Sequence, residues 1–93
     1  MAETGSEKIL HRLETHGWQK GGNGGSEGPN CLMGAMLYTI GRSVYYQRLR
    51  DALPGGYSNV ASFNDDPNTT YEDVVLLLKR AAELEREAEL NHG

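Results

Sequence analysis

A glycine-rich stretch near the N-terminus is the feature that most restricts the fold of this chain. Five of the twelve residues from Gln19 to Asn30 are glycine. Glycine has no Cβ, so it loses more conformational freedom on folding than other residues and offers no apolar side chain for packing. We therefore expect neither a helix nor a strand to continue through this stretch, and the ordered elements must lie before and after it.

The segment before the glycine-rich stretch is predicted to form an amphipathic helix. Its apolar residues fall on one helical face: Ile9, Leu10 and Leu13. Thr4 or Ser6 can cap the start of this helix, because a side-chain oxygen there can accept an unpaired backbone N–H. Gly17 is predicted to end the helix in a Schellman motif, with Trp18 folding back onto Leu13.

Three further principal helices are predicted after the stretch. Helix two runs from about Pro29 or Asn30 to Ile40 and is apolar on most faces, so it is expected at the centre of the fold. Helix three carries one apolar stripe: Tyr45, Leu49, Ala52 and Leu53. In the last helix, Thr69 and Glu72 have the spacing of a capping box.

These elements predict a compact, all-α single domain of about four helices, with a glycine-rich loop between helices one and two. Residues 1–5 are expected to be disordered, residues 6–84 to form the helical domain, and residues 85–93 to form a polar helix extension and tail. A short β-hairpin around the glycine-rich loop is an alternative. The segment 58–63 is predicted as a short turn of helix or irregular chain, with Phe63 as a core anchor.

Composition excludes several classes of protein. A net charge of -4 argues against binding to a nucleic-acid duplex, which depends on clustered Lys and Arg. The longest apolar run, from Cys31 to Ile40, is about half the ~20 residues needed to cross a bilayer, so no membrane association is predicted. A single cysteine cannot form a disulfide within the chain, and no leader-like segment precedes the first helix, so we expect a cytoplasmic protein.

Three short motifs carry a resemblance to a known family. They are His16-Gly17-Trp18, Cys31-Leu32-Met33-Gly34-Ala35, and Asn64-Asp65 ahead of Pro67. Their order resembles a small uncharacterised family from actinobacteria and their bacteriophages, over roughly residues 7–84. The resemblance implies a mostly helical domain without an assigned activity, and a phage origin would favour an accessory protein that acts on its host. The chain departs from the family pattern at Phe63, where tryptophan is usual, and in its unusually glycine-rich loop.

One arrangement of residues is compatible with an enzyme. Cys31 would be a nucleophile at the start of helix two, His16 its base, and Asn64 or Asp65 the group that orients the base. The alternative is that Cys31 is a small buried side chain that leads an apolar helix. Since no oxyanion hole or substrate cleft is evident, we favour a non-enzymatic protein and keep a cysteine-dependent hydrolase or transferase as the alternative.

No metal or cofactor site is predicted. A zinc site of Cys31 and His16 would lack further ligands, because His11 and His92 have no matching neighbours. The oxygen-rich segment from Asn64 to Val75 lacks the glycine and the glutamate that a calcium-binding EF-hand loop needs at its sixth and twelfth positions. The glycine-rich stretch follows a helix rather than a strand, which argues against a phosphate-binding loop.

The favoured function is therefore protein interaction, with a host protein or a second copy of the chain as partner. Candidate partner-binding residues lie in helix three and in the last helix: Tyr45, Tyr46, Arg48, Glu83, Arg86 and Glu87. Tyrosine and arginine commonly anchor protein interfaces. A small-ligand sensor, with the glycine-rich loop as a lid over Trp18, is a further hypothesis.

Overall fold

Helices account for all the regular structure in the computed structural model, which describes residues 3–21, 24–40 and 43–91. The described helices are α1 (Gly5–His16), α2 (Leu32–Leu37), α3 (Ser43–Asp51), α4 (Val60–Asp65) and α5 (Tyr71–Asn91). The all-α prediction is confirmed. Besides the four principal helices that the sequence predicts, the described chain contains α4. The sequence predicts this segment only as a short turn of helix or irregular chain.

The core is formed by one face of each helix. Its buried residues are Ile9 and Leu13 from α1, Leu32, Ala35 and Met36 from α2, Leu49 and the adjacent Ala52 from the α3 region, Val60 and Phe63 from α4, and Val74, Leu77, Leu78 and Ala81 from α5. Phe63 is only 3% exposed, as expected for an anchor. Its ring meets that of Tyr57 edge to face, with 5.2 Å between the ring centroids.

The longest helix, α5, connects the elements of the fold. It packs against α1 and α3, whereas α2 packs chiefly against α1 and α4. The prediction that helix two lies at the centre with the others around it is therefore wrong. The reason is length: α2 has 6 residues, while the 21 residues of α5 span about 30 Å and can contact both neighbours.

The ends of α1 are set by local hydrogen bonds. Thr4 and Glu7 form a capping box, so residues within the segment expected to be disordered cap and begin this helix. At the other end, Gly17 has φ +96° and ψ 160°. A Schellman motif needs a left-handed helical residue near φ +57° and ψ +47°, so that prediction is wrong. The chain leaves α1 in an extended direction instead.

This extended exit pairs the start of the glycine-rich loop with its end. Trp18 and Asn30 form an isolated parallel β-bridge. The N–H of Gln19 donates to the carbonyl of Asn30, and the N–H of Asn30 donates to the carbonyl of Gly17, both at 3.0 Å. A hairpin pairs antiparallel strands, so the alternative of a β-hairpin around the loop is wrong.

Two helix starts differ from the sequence prediction. α2 is capped by Cys31, whose sulfur accepts the N–H of Gly34 at 3.3 Å, and it begins later than Pro29 or Asn30. α5 is capped by Thr70, one residue after the predicted Thr69.

The cap of α5 is a reciprocal pair. The N–H of Asp73 donates to Thr70 Oγ1 at 3.3 Å, and the N–H of Thr70 donates to Asp73 Oδ2 at 2.9 Å. The error arises because two overlapping Thr-x-x-acid patterns lie in adjacent registers. The buried Thr69 belongs to the turn before the helix, where its N–H donates to the carbonyl of Asp66 at 3.0 Å.

Some sequence predictions fall outside the described residues. These are residues 1 and 2 of the predicted disordered N-terminus, residues 22 and 23 of the glycine-rich loop, and residues 92 and 93 of the predicted tail, which include His92. No helix in the described part of the chain is long and apolar enough to span a membrane.

Candidate functional site

Asn64 joins the start of the glycine-rich loop to α2. Asn64 is only 1% exposed. Its Oδ1 accepts the indole N–H of Trp18 at 2.6 Å and the backbone N–H of Leu32 at 3.1 Å. Its Nδ2 donates to the carbonyl of Gln19 at 3.2 Å and to Asp65 Oδ1 at 2.9 Å. An amide side chain offers two acceptor and two donor positions, so Asn64 is fully engaged in holding the fold.

Asn30 has a similar role at the end of the loop. This fully buried residue accepts a hydrogen bond from Arg12 Nε at 2.7 Å on Oδ1 and donates from Nδ2 to the carbonyl of Gly25 at 3.1 Å. Arg12 also donates to the carbonyl of Ser26 at 2.6 Å and lies over the ring of Tyr38, 4.9 Å from its centroid. We call Arg12, Trp18, Asn30 and Asn64 the loop clasp, because they tie the loop to α1, α2 and α4.

Asp65 extends this network to the surface. Its Oδ1 accepts the N–H of Gly21 at 2.7 Å. This hydrogen bond, and a second one from Asn64, lower the pKa of the Asp65 carboxyl. The backbone partner of Asp65 thus lies in the glycine-rich loop and not at the turn before the last helix.

Asp66 does accept an N–H at that turn. Its Oδ1 accepts the N–H of Asn68 at 2.8 Å and its Oδ2 accepts the hydroxyl of Tyr57 at 2.8 Å, and these bonds lower the pKa of the Asp66 carboxyl. Its carbonyl accepts a hydrogen bond from Lys20 Nζ at 2.6 Å. In the described ranges, no three His, Cys, Asp or Glu side chains come together as a metal site.

The residues of the enzymatic hypothesis have structural partners. Cys31 is 7% exposed, and its sulfur caps α2. His16 Nδ1 lies 3.1 Å from the carbonyl of Glu27, to which it can only donate. Asn64, the proposed orienting group, uses its amide on four groups that do not include His16. In this arrangement, Asn64 holds the fold together.

A surface cavity of about 640 Å³ lies between α1 and α5, below Trp18. Its lining is mainly apolar: Leu10, Leu13, Glu14, Gly17, Trp18, Tyr71, Val75 and Lys79. The rings of Trp18 and Tyr71 lie 6.2 Å apart. The Tyr71 hydroxyl is buried without a hydrogen-bond partner among the described residues, and burial raises the pKa of Tyr71.

The predicted binding residues of helix three hold the helices together. The hydroxyl of Tyr45 hydrogen-bonds to Ser6 Oγ in α1, and burial raises the pKa of Tyr45. Tyr46 is half-buried against the core. Arg48 Nε lies 4.0 Å from Glu85 Oε1 in α5. These contacts join α3 to α1 and α5.

The predicted binding residues of the last helix divide into two groups. Arg86 forms an ion pair with Glu7, with 2.8 Å between Nη2 and Oε1, and so contacts the first turn of α1. This bond contributes to the lowered pKa of the Glu7 carboxyl, after the larger effect of the Thr4 N–H. Glu83 and Glu87 are exposed to solvent.

These two glutamates belong to a longer exposed surface. We call it the α5 outer face: Glu72, Leu76, Lys79, Arg80, Glu83 and Glu87, all of them exposed. Leu76 is 64% exposed, more than the other exposed large hydrophobic residues of the described chain, Leu37 and Tyr38. A groove of about 590 Å³ runs beside it, with Asp73, Leu76 and Arg80 on one wall and Leu53 and Pro54 on the other.

Sequence reasoning missed Arg12, Asn30 and Leu76. No local pattern in the sequence marks Arg12 or Asn30. Arg12 binds Ser26 and Asn30, which lie 14 and 18 residues further along the chain, across an irregular segment. Leu76 did have a signal. It lies in a run of five apolar residues, 74–78, and a helix that turns 100° per residue must expose part of such a run.

A comparison with protein families gives one match. The model of a family of unknown function, DUF6197, matches residues 7–84. The chain belongs to this family. The match confirms the predicted resemblance to an uncharacterised family. The matched residues, 7–84, include all four residues of the loop clasp. No curated protein and no solved structure gives a match.

Proposed function

We propose that this chain is a non-enzymatic cytoplasmic protein that binds another polypeptide chain through the α5 outer face. The observation that carries the proposal is the exposure of Leu76, at 64%, on a helix that is otherwise fixed to the core. Full burial of a leucine side chain contributes roughly 1.5–3 kcal/mol, which a partner can gain here. The resemblance to a family from actinobacteria and their phages supports a phage accessory role, with a host protein or a second copy as partner.

The surroundings of Leu76 support binding in a defined orientation. Charged side chains flank it on both sides along the helix, with Glu72 before it and Arg80 after it. Interfaces commonly combine an apolar centre with a polar rim that sets orientation. By contrast, Asn30 and Asn64 lie buried within the fold and offer no comparable surface.

Site-specific crosslinking tests the proposal without assuming a partner. A photoreactive amino acid is placed at position 76 in the tagged protein, which is then irradiated in an actinobacterial host lysate. We expect a discrete crosslinked product, containing either a foreign chain or a second copy. The matched control is position 37, where Leu37 is 48% exposed on α2. Equal crosslinking at positions 76 and 37 would overturn the proposal.

The enzymatic alternative is tested at Cys31. Since the sulfur caps α2, Cys31→Ser keeps a capping atom and is expected to preserve both the fold and the crosslinked product. An enzyme centred on Cys31 would instead lose its function while the fold remained. Rapid stoichiometric reaction of the folded protein with a thiol reagent near neutral pH would favour that alternative.

The cavity below Trp18 supports a second candidate function, a small-ligand sensor. The favouring observation is the buried Tyr71 hydroxyl, which has no partner among the described residues. An unpaired buried hydroxyl is unfavourable, and a ligand that supplied an acceptor would relieve this cost. Trp18 is the single tryptophan, so its fluorescence reports directly on occupancy during a metabolite screen.

A further inference from the structure

The charges on the α5 outer face, together with the adjoining half-buried Asp73, follow a simple order. Glu72 and Asp73 lie one turn before Leu76, and Lys79 and Arg80 lie one turn after it. Leu76 is therefore the centre of a short surface with one acidic end and one basic end. The ion pairs of the described residues involve Arg48 and Arg86, whereas Lys79 and Arg80 take part in none.

A surface with this order of charges is complementary to a second copy of itself that runs in the opposite direction. When two copies of α5 pack antiparallel about a two-fold axis at Leu76, a residue about 4 positions before Leu76 meets one about 4 positions after it in the other copy. Glu72 then faces Lys79 of the second copy, and Asp73 faces Arg80. The symmetry repeats both contacts. A parallel pairing would instead place acidic residues against acidic residues and basic against basic.

Helix geometry places these charges on matching sides of the contact. At about 100° per residue, Glu72 and Lys79 lie on the same side of Leu76 around the helix, and Asp73 and Arg80 lie on the other side. In the antiparallel pairing, Glu83 of one copy reaches the N-terminal end of the other α5. Negative charge is favourable there because of the helix dipole.

The surface beside the helix has the shape that such packing needs. Asp73, Leu76 and Arg80 border the 590 Å³ groove on one side of the helix, and Lys79 borders the 640 Å³ cavity on the other. The exposed part of α5 is thus a ridge between two depressions. A second helix can therefore pack along α5, with its side chains interdigitating with those around Leu76.

We infer that the partner of the α5 outer face is a second copy of this chain, bound as an antiparallel two-fold dimer centred on Leu76. This inference rests on the proposed function and names its partner. In this dimer, the two Leu76 side chains form the apolar centre of the contact. Around this centre, Glu72 of each copy pairs with Lys79 of the other, and Asp73 pairs with Arg80.

Charge reversal at one pair tests the inference. Glu72→Lys places two lysines against each other in each half of the dimer, and Lys79→Glu places two glutamates there. We expect each variant alone to raise the dimer dissociation constant about tenfold, because symmetry changes two pairs at once. Mixing the two variants is expected to restore association, since positions 72 and 79 then again carry opposite charges wherever they meet across the contact. Sedimentation equilibrium measures the constants, and native mass spectrometry identifies the heterodimer.

Asp73 is left unchanged in this experiment because it belongs to the capping box of α5. Circular dichroism of each variant checks that the helices are intact, and Leu37→Asp is the control for an exposed leucine away from the face. A monomeric wild-type chain, or a mixture that associates no better than its components, would overturn the dimer. If the dimer is absent but position 76 still crosslinks to a foreign chain, the proposed function stands and this inference fails.

Discussion

The loop clasp and the α5 outer face lie on the same small domain and are built in opposite ways. In the loop clasp, polar side chains are buried and bound: Asn30 and Asn64 are at most 1% exposed, and each makes several hydrogen bonds. On the α5 outer face, Leu76 is exposed, and Lys79 and Arg80 form no ion pair within the described chain. One region uses its polar groups to define the fold, and the other leaves its groups available to a partner.

This difference explains why the three short motifs of the sequence do not reveal a reaction. Trp18, Cys31 and Asn64 come from three separate motifs, yet all three act at the junction between the glycine-rich loop and α2. Buried polar groups must be hydrogen-bonded, so a chain that uses them to shape a loop is restricted in which residues can replace them. The motifs are therefore interpreted as a structural signature.

Removal of Asn64 is expected to have the largest effect. Asn64→Ala removes the hydrogen bonds that Asn64 makes to the Trp18 indole N–H, the Leu32 N–H and the Gln19 carbonyl. We expect the free energy of unfolding to fall by about 3–5 kcal/mol, measured by urea denaturation. The control is Asn68→Ala at an exposed site, where the loss should stay within about 0.5 kcal/mol. Equal losses at the two positions would remove the distinction between the loop clasp and the surface.

A pair of glycines tests whether the loop is shaped or merely flexible. Gly24 has φ +67°, and a Cβ there would lie 1.9 Å from the carbonyl oxygen of Pro29. Gly24→Ala is therefore expected to destabilise the fold by about 2 kcal/mol. The matched variant Gly25→Ala meets open space and should change stability by less than about 0.5 kcal/mol. A plain spacer would tolerate both changes equally in thermal denaturation.

The start of α5 gives a smaller effect. Thr70→Ala removes the side-chain oxygen that accepts the N–H of Asp73, and we expect a loss of about 1 kcal/mol in the free energy of unfolding. Thr70→Ser keeps the hydroxyl and should retain most of the stability. If Thr70→Ala melts at the wild-type temperature, the capping box does not stabilise α5. The N-terminal end of the α5 outer face is then less firmly held than the Thr70–Asp73 hydrogen bonds indicate.

The sequence predicts the helices better than the contacts between them. Periodic apolar positions such as Ile9 and Leu13 identify a helix because the signal is local. The bridge from Trp18 to Asn30 and the hydrogen bond from Trp18 to Asn64 connect residues 12 and 46 positions apart, and no local pattern encodes such pairs. Within the α5 outer face, the sequence predicts only Glu83 and Glu87 as binding residues. Leu76 is missed because it lies in a run of apolar residues, where the pattern does not distinguish it from its buried neighbours.

The smallest expected effect falls on the α5 outer face itself. Leu76 and Leu77 are adjacent leucines in one helix, but they are 64% and 4% exposed. At concentrations where the chain is monomeric, Leu76→Ala should change the free energy of unfolding by less than about 0.5 kcal/mol, whereas Leu77→Ala should cost about 2–5 kcal/mol. Chemical denaturation of both variants measures the difference.

The concentration dependence of that measurement connects stability to binding. A dimer stabilises its folded chains by mass action, so the wild-type melting temperature should rise with protein concentration. Leu76→Ala is expected to weaken this rise, because it removes apolar surface only from the contact and not from the core. A substantial loss of stability for Leu76→Ala in the dilute monomer would mean that Leu76 packs within its own chain. The α5 outer face would then belong to the fold in the same sense as the loop clasp.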